Sequence, residues 1–507
     1  MATVVGSQTD WAGEQDGSSG RDPAGASGVA SSRWTRGWPP SLAGVVGLAV
    51  ALWGLLIGLA PLVDNSFLTH LATGRLILDQ GIPTADPYSF TAHGEPWVVQ
   101  SWLASVLYGA MDALAGGTGL RLLMGATTMT LGACVWRLTR PATTLLPRVA
   151  VAAVAMGVAM EFWAERPLLL GLLFLAVLVL QANEEWDPRW ALPMMWIWAN
   201  VHGSFPLGLV VVALLAMGRR LDGQSPRVEL RLLAWATAGT VLGAIGPLGF
   251  RLLTFPLDLL AQQQTLHYVT EWRAPTFDTT GQRLFVLQLV GAVVLLVRRP
   301  SYRVALPLAV FSAAAMLGLR NVPVASLVLV AGMATCAAGL GSIDGARRSR
   351  ATAAGAVALG CLALLLTVSQ LGSENFNLRS YPEEAVAWLD ARGLLGAESR
   401  LVSRDYVGNY LEALEGDDAR VFMDDRYDMF PSQISRDYIS LVRGLDPGTV
   451  LERYDAQIVL WDRDTPFGAW LEEADGWGIV YRDEEWVIAC PSAGPGRPGQ
   501  CDAPSSR

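Results

Sequence analysis

Asp64 ends a run of over twenty largely apolar residues, 41–63, and His70, Asp79 and Asp86 follow it in VDNSFLTHLATGRLILDQGIPTADPYSF. A carboxylate drawn partly out of water has a raised pKa and can take a proton from an attacking hydroxyl. The end of a membrane span is where a lipid-borne substrate and a water-borne acceptor meet. The plain alternative for Asp64 is a boundary marker that reaches into interfacial water. His70 reads either as an interfacial histidine or as a phosphate partner. Asp86 precedes a proline and reads as a turn former or a catalyst.

Three more clusters place polar or charged residues at a tight turn: Glu165 and Arg166 in ERP (165–167), Asn200 and His202 in NVHGS (200–204), and Arg320 and Asn321 in RNVP (320–323). Glu271 and Arg273 in EWRAP (271–275) are further candidates on the same expected side. A charge costs about 2.5–3.5 kcal/mol at the bilayer centre and less near an interface, and a partner or a watery cavity offsets it. Glu165 and Arg166 therefore either satisfy their neighbours or serve a phosphate. Several such turns together favour one convergent anion site. Guanidinium binds two phosphate oxygens at once, but all 37 basic residues are Arg, so its choice here is uninformative. Tyr268 and Trp272 either stack on a sugar face or belong to an interfacial aromatic belt. Metal binding has weak support: there is no His-x-x-His, Cys cluster or DxD pair, and MDDR (423–426) reads as a strand end. A divalent metal stays open as a cofactor. No Ser–His–Asp, Cys–His or glycine-rich phosphate motif is present.

The elements that would hold these groups are set by hydrophobicity. The chain is 52% hydrophobic and 16% charged, against about 25% charged in a soluble domain. Apolar runs predict about eleven spans, near 41–63, 118–136, 149–164, 167–182, 190–201, 204–218, 230–246, 282–297, 304–318, 322–340 and 351–371. Arg clusters at 33–36, 137–148, 219–231, 298–303 and 347–350 all fall inside if the N-terminus is cytoplasmic. The segment 101–115 is then a helix lying at the outer interface, and the listed turns face outward. Phe67, Leu71 and Leu78 share a face of the stretch after Asp64, which predicts an amphipathic helix on the membrane surface.

Beyond residue 372 the pattern changes to α/β alternation. RLVSR (400–404), RVFMDD (420–425) and QIVLW (457–461) read as strands, 405–414, 432–443 and 466–474 as helices, and 477–490 as a hairpin. The expected fold is a polytopic α-helical membrane protein with a small extracytoplasmic α/β C-terminal domain. Its divisions are a disordered cytoplasmic tail (1–38), a membrane domain (39–372) whose first external loop spans 64–117, the α/β domain (373–490) and a disordered tail (491–507). Cys490 and Cys501 can pair if that end lies outside the cytoplasm. Cys134, Cys336 and Cys361 lie in apolar runs and read as packing residues. The net charge of −9 does not suggest a nucleic-acid partner.

One span, an external acid, a segment ending GIPTADPYS, then PWVVQSWL and many further spans resemble bacterial membrane glycosyltransferases of the GT-C superfamily. The likeness is nearest to the protein mannosyltransferase and aminoarabinose transferase branch and covers roughly residues 40–340, most strongly 64–104. RVFMDDRYDMF and WGIVYRDEEWVI are similar to the external domain that often follows such cores. The resemblance implies an inverting enzyme of the plasma membrane that takes a sugar from a polyprenyl-phosphate carrier and passes it to a lipid, glycan or protein acceptor. Asp64 matches that superfamily's acid in the first external loop, as base or ligand. Arg166, Arg273 and Arg320, helped by His202, would neutralise the phosphate. Asn65 replaces the second acid of the usual adjacent pair, and Gln100 stands where many relatives have an acid. The rival reading is a transporter or lipid-handling protein that uses the same cavity without transfer chemistry; no clear internal repeat of the kind such proteins carry is seen.

Overall fold

The computed structural model describes residues 38–261, 270–493 and 497–502. The expected tail at 1–38 lies outside these but for Trp38, and His267 and Tyr268 lie outside them too. The N-terminal two-thirds is a helical bundle. Its helices are α1 (Leu42–Gly58), α2 (Asn65–Gln80), α3 (Trp102–Leu138), α4 (Leu145–Phe162), α5 (Pro167–Glu184), α6 (Ala191–Val201) and α7 (Phe205–Leu221). They continue with α8 (Arg227–Leu242), α9 (Arg251–Ala261), α10 (Thr280–Arg298), α11 (Tyr302–Leu317), α12 (Val322–Cys336) and α13 (Arg350–Leu371). A helix occupies each of the eleven apolar runs; α9 is additional. Among the described residues, five helical stretches are long and apolar enough to cross a membrane: α4, α5, α10, Leu319–Cys336 and α13. Most of α12 is enclosed by its neighbours, whereas α13 exposes nearly all of its apolar side chains, including Cys361. Cys134 and Cys336 are buried as expected; Cys361 is not a packing residue, because α13 lies on the bundle's outside.

Segment 101–115 is helical as expected and is set off from the helix that follows by a break at Ala115 (φ −151°, ψ 17°) and Gly116 (φ 56°, ψ −153°). Thus α3 is two helices joined across a kink, at a conformation that suits glycine. The stretch after Asp64 is helical but does not lie free on a surface. Its first three turns are buried between α3 and the C-terminal part, and only its last turn is open, so Leu78 is 51% exposed while Phe67 and Leu71 are enclosed. The cause is a pair of glycines. Gly74 and Gly109 meet backbone to backbone, and a Cβ on either would overlap the other helix.

At the bundle's end, Arg121 of α3 is fully buried. Its guanidinium donates to the carbonyls of Leu59, Gln370, Ser373 and Glu374. Terminal helix carbonyls lack partners within their own helix, and one guanidinium here satisfies those of α1 and α13 together.

After α13 come α14 (Glu383–Asp390), α15 (Asp405–Glu415), α16 (Ser432–Val442), α17 (Pro447–Arg453) and α18 (Pro466–Glu473). They pack around β1 (Leu401–Val402), β2 (Ile458–Asp462), β3 (Trp477–Arg482) and β4 (Trp486–Pro491). The sheet order is β1-β2-β4-β3, with β1 parallel to β2 and the other pairs antiparallel. The expected strand at 420–425 is absent. Val421 bridges singly to Ser89 and Leu401, and the chain then turns where Arg426 N–H donates to Asp424 Oδ1 at 2.8 Å. Side chains in this turn satisfy the backbone that a ladder would otherwise use. The expected tail from 491 is also corrected. β4 extends through Pro491, and Gly499–Asp502 forms a 3₁₀ turn that the Cys490–Cys501 disulfide holds against the sheet.

Candidate functional site

A cavity of about 780 Å³ lies where the bundle meets the C-terminal part. Its walls divide by polarity. Leu168, Leu207, Phe255, Leu259, Leu317 and Val324 form an apolar side. Ser66, Thr69 and His70 of α2, Gln100, His202, Arg320 and the segment Asp425–Asp428 form a polar one.

Local sequence places each group. Asp64 is the N-cap of α2, with Oδ1 accepting from Phe67 N–H at 3.3 Å. The Gly74–Gly109 contact brings α2 close enough to α3 for His70 Nδ1 to lie 3.1 Å from Ser105 Oγ. Pro167, Pro206 and Pro323 start α5, α7 and α12 straight after tight turns, so the residues before them project from the same end of the bundle. His202 ends α6, and its Nδ1 accepts from Ser204 N–H at 3.1 Å. The ring proton of neutral His202 is therefore on Nε2.

The sequence clusters at 64, 165–166 and 271 do come together, though chiefly to satisfy one another. Arg166 Nε donates to Asp64 Oδ2 at 2.5 Å, and its Nη1 pairs with Glu271. Glu165 Oε1 accepts from Val63 N–H at 2.5 Å and from Asp64 N–H at 3.4 Å. Burial raises the Glu165 pKa, opposed by the Val63 hydrogen bond and aided by the Asp64 charge. Two expectations change as a result. Arg166 is not a free phosphate ligand, because two carboxylates already hold it. Asp64 is not an open base, because each oxygen has a partner and the residue is not part of the cavity wall.

Both histidines of the wall are neutral. Burial lowers His70 to about 4, with Arg166 and Arg426 adding to it, and lowers His202 to about 3, with Arg320 and His70 adding to it. His202 consequently offers a hydrogen bond rather than the positive charge expected of it. Asn200 and Asp86 belong to the scaffold. Asn200 is fully buried, accepts from Trp102 Nε1 at 2.9 Å and donates to Trp196 O at 2.9 Å. Asp86 closes a turn by accepting from Ser89 N–H at 3.0 Å and Ser89 Oγ at 2.5 Å, and it pairs with Arg426 at 2.7 Å. Neither lines the cavity. Arg273 is exposed, and its carbonyl accepts from Leu319 N–H at 2.8 Å.

Arg320 and Asn321 do line it. Asn321 donates to Ala314 O at 2.9 Å. The Arg320 guanidinium lies 4.1 Å over the Trp272 ring, and no carboxylate of the described residues is within ion-pair distance of it. Trp272 thus supports a cation, in place of the sugar-stacking or belt role. Gln100, at the position of an expected acid, donates to Ala199 O at 3.2 Å and accepts from Ser101 Oγ at 3.0 Å.

The sequence reading missed the cavity's acids. Asp425 and Asp428 line it, brought in by the turn at 424–426. Asp425 Oδ2 accepts from Ser66 Oγ, its N–H donates to Asn409 Oδ1 at 3.1 Å, and burial raises its pKa to about 7. Arg426 is committed elsewhere, to Asp424 at 2.5 Å and Asp86 at 2.7 Å, with its guanidinium 4.4 Å over Trp97. The available signal was MDDRYDM itself, four charges in seven residues too dense for a buried strand. No group of three or more His, Cys, Asp or Glu able to hold a metal occurs among the described residues.

No family model and no curated protein matches this chain. Among solved structures it is similar to the archaeal oligosaccharyltransferase AglB from Archaeoglobus fulgidus, solved in complex with an inhibitory peptide and a dolichol-phosphate. That likeness has 12% identity and a TM-score of 0.49, and covers 82% of this chain and 69% of that one.

Proposed function

We propose that the chain is a membrane glycosyltransferase that moves a sugar from a polyprenyl-phosphate carrier to an acceptor hydroxyl. The observation that carries this reading is the divided cavity, with an apolar wall leading to an Arg320 that no carboxylate of the described residues reaches at ion-pair distance. A lipid phosphate presents the complementary shape: hydrocarbon for Leu207, Phe255 and Leu317, and an anion for Arg320. The volume suits a headgroup and its sugar. His202 Nε2–H adds a neutral donor beside the guanidinium.

The reaction in this reading is a single displacement that inverts the sugar carbon. The lipid phosphate leaves with the bonding electrons, and Arg320 stabilises the charge that accumulates on it. Asp64, Arg166 and Glu271 form an ion-paired cluster behind the cavity that holds the start of α2 in place. The cavity faces outside the cytoplasm. Supporting this are the disulfide at the C-terminus and the Arg-rich helix ends at 137–148, 219–231 and 298–303, which lie at the other end of the bundle.

The test is turnover in proteoliposomes of synthetic polyprenyl-phosphate hexoses carrying a labelled sugar, with native chain and Arg320→Ala. Transfer to an alkyl hexoside by the native chain, and its loss in the variant, are expected. Passage of the lipid across the bilayer without cleavage would instead identify a transporter.

A further inference from the structure

Asp425, carried by the C-terminal part, lines the cavity bonded to Ser66 of α2, and its position bears on where the acceptor's proton goes. Resting on the transferase reading above, we propose that Asp425 is the group that takes the proton from the acceptor hydroxyl.

Of the acids at this end, Asp425 is the one with the geometry for that task. Asp64 holds Phe67 N–H and Arg166, Glu165 holds the backbone at 63–64, Asp424 holds Arg426, and Glu271 holds Arg166. Asp425 lines the cavity and accepts through Oδ2 from Ser66 Oγ. Its backbone is fixed by Asn409, so Oδ1 is the oxygen left for a substrate. Asp428 also lines the cavity, but it lies on the Arg320 side, whose charge acts on it. The charges acting on Asp425 are those of Asp424, Arg166 and Asp64. In an inverting displacement the acceptor enters opposite the leaving phosphate. With the phosphate at Arg320, the entering hydroxyl needs an acid away from it, and Arg320 acts on Asp428 but is not among the charges acting on Asp425.

The step balances within the cavity. The acceptor O–H bond breaks as its oxygen bonds the sugar carbon, and the bond from that carbon to the phosphate oxygen breaks. The electron pair departs with the lipid phosphate, which gains one negative charge beside Arg320. Asp425 gains the proton and returns it to water. A base works best with a pKa near the operating pH, and burial holds the Asp425 carboxyl at about 7. The titratable and charged groups around it are Asp64 and His70 of α2, Arg166 before α5, Tyr381, and Asp424, Arg426, Tyr427 and Asp428 of its own segment. His70 stays neutral above about 4 and adds no inflection near 7, while Asp428 and Glu165, whose carboxyls burial also raises, are told apart from Asp425 by its variants.

The experiment measures kcat and KM against pH for the full chain in proteoliposomes, with a labelled polyprenyl-phosphate hexose and an alkyl hexoside. Native kcat should fall about tenfold per pH unit below 7. Asp425→Asn should lower kcat on the order of 100-fold or more with the donor KM unchanged, and Asp425→Glu should keep part of the rate with a displaced inflection. Infrared pH titration should show a carboxylic-acid carbonyl band that disappears near pH 7 in the native chain and is missing from Asp425→Asn. If Asp425→Asn does not fold, the Glu variant decides, since an unmoved inflection would refute the assignment. Native transfer with Asp425→Asn within a few-fold of it would refute this role and leave the transferase reading intact. No transfer of any lipid-phosphate sugar by the native chain would remove both.

Discussion

The two ends of the helical bundle use the same residue types to opposite effect. At the end away from the cavity, Glu229 is fully buried and takes Arg219 at 2.8 Å and Arg303 at 3.2 Å, while Arg303 also donates to Asn183 at 2.9 Å. Nearby, Arg137 grips both oxygens of Glu184, and Arg140 joins at 3.3 Å. There Glu229 and Glu184 each find guanidinium partners within the protein. At the cavity end the pairing stops short. Asp64, Arg166 and Glu271 close on one another, but Arg320 and Asp425 remain apart, with about 780 Å³ between the walls that carry them. Charge alone therefore does not mark a site in this chain. A cation and an acid prevented from meeting do.

The comparison can be broken at either end. The largest expected effect is on the closed end: Glu229→Ala leaves two guanidinia facing each other without a counter-charge and should cost about 3–5 kcal/mol. Thermal unfolding would show this, with transfer per folded molecule unchanged. Lost transfer without lost stability would mean that the two ends are not functionally distinct. At the cavity end, Arg320→Ala removes charge-assisted hydrogen bonds to phosphate, each worth about 1.5–3 kcal/mol. A tenfold to hundredfold loss of kcat/KM for the lipid donor should follow, with little change in melting temperature.

A pH experiment sharpens the contrast. His70 and His202 have native pKa values of about 4 and 3, below the ordinary 6.5. Between pH 6.5 and 4 the unfolded chain takes up protons that the native chain refuses. Stability should fall with acid by about 1.4 kcal/mol per pH unit per histidine. Asp425 has the opposite sign: its raised carboxyl favours the native state below its ordinary 3.8, and that stability is lost as pH rises to about 7. His202→Gln should flatten the acid limb, and Asp425→Asn should raise the melting temperature above pH 7. Unchanged melting curves for both would contradict these assignments. The smallest effect belongs to Arg137→Gln. Its guanidinium is 47% exposed, so about 0.2–1 kcal/mol is expected.

Much of the scaffold was legible in the sequence. Apolar length located helices at every expected run, and the turns at ERP, NVHGS and RNVP do lie between those helices. What could not be read was which charges meet. Hydrophobic period reports burial, not partners, so Arg166 looked as available as Arg320 until Asp64 and Glu271 were seen to hold it. The kink at Gly116 falls between 101–115 and 118–136, the two segments that hydropathy already separates. Asp425 was hidden because the bridge from Ser66 to it spans 359 residues, and its segment resembled a strand until Asp424 and Arg426 were seen closing a turn.

That long reach has a consequence for how the protein comes into being. The wall at 425–428 leaves the ribosome well after the bundle, and it must dock on a helix made some 359 residues earlier. A nascent chain that has inserted its bundle holds the cation's side of the cavity without the acid's. In the proposed transferase, competence would then begin with docking rather than with membrane insertion.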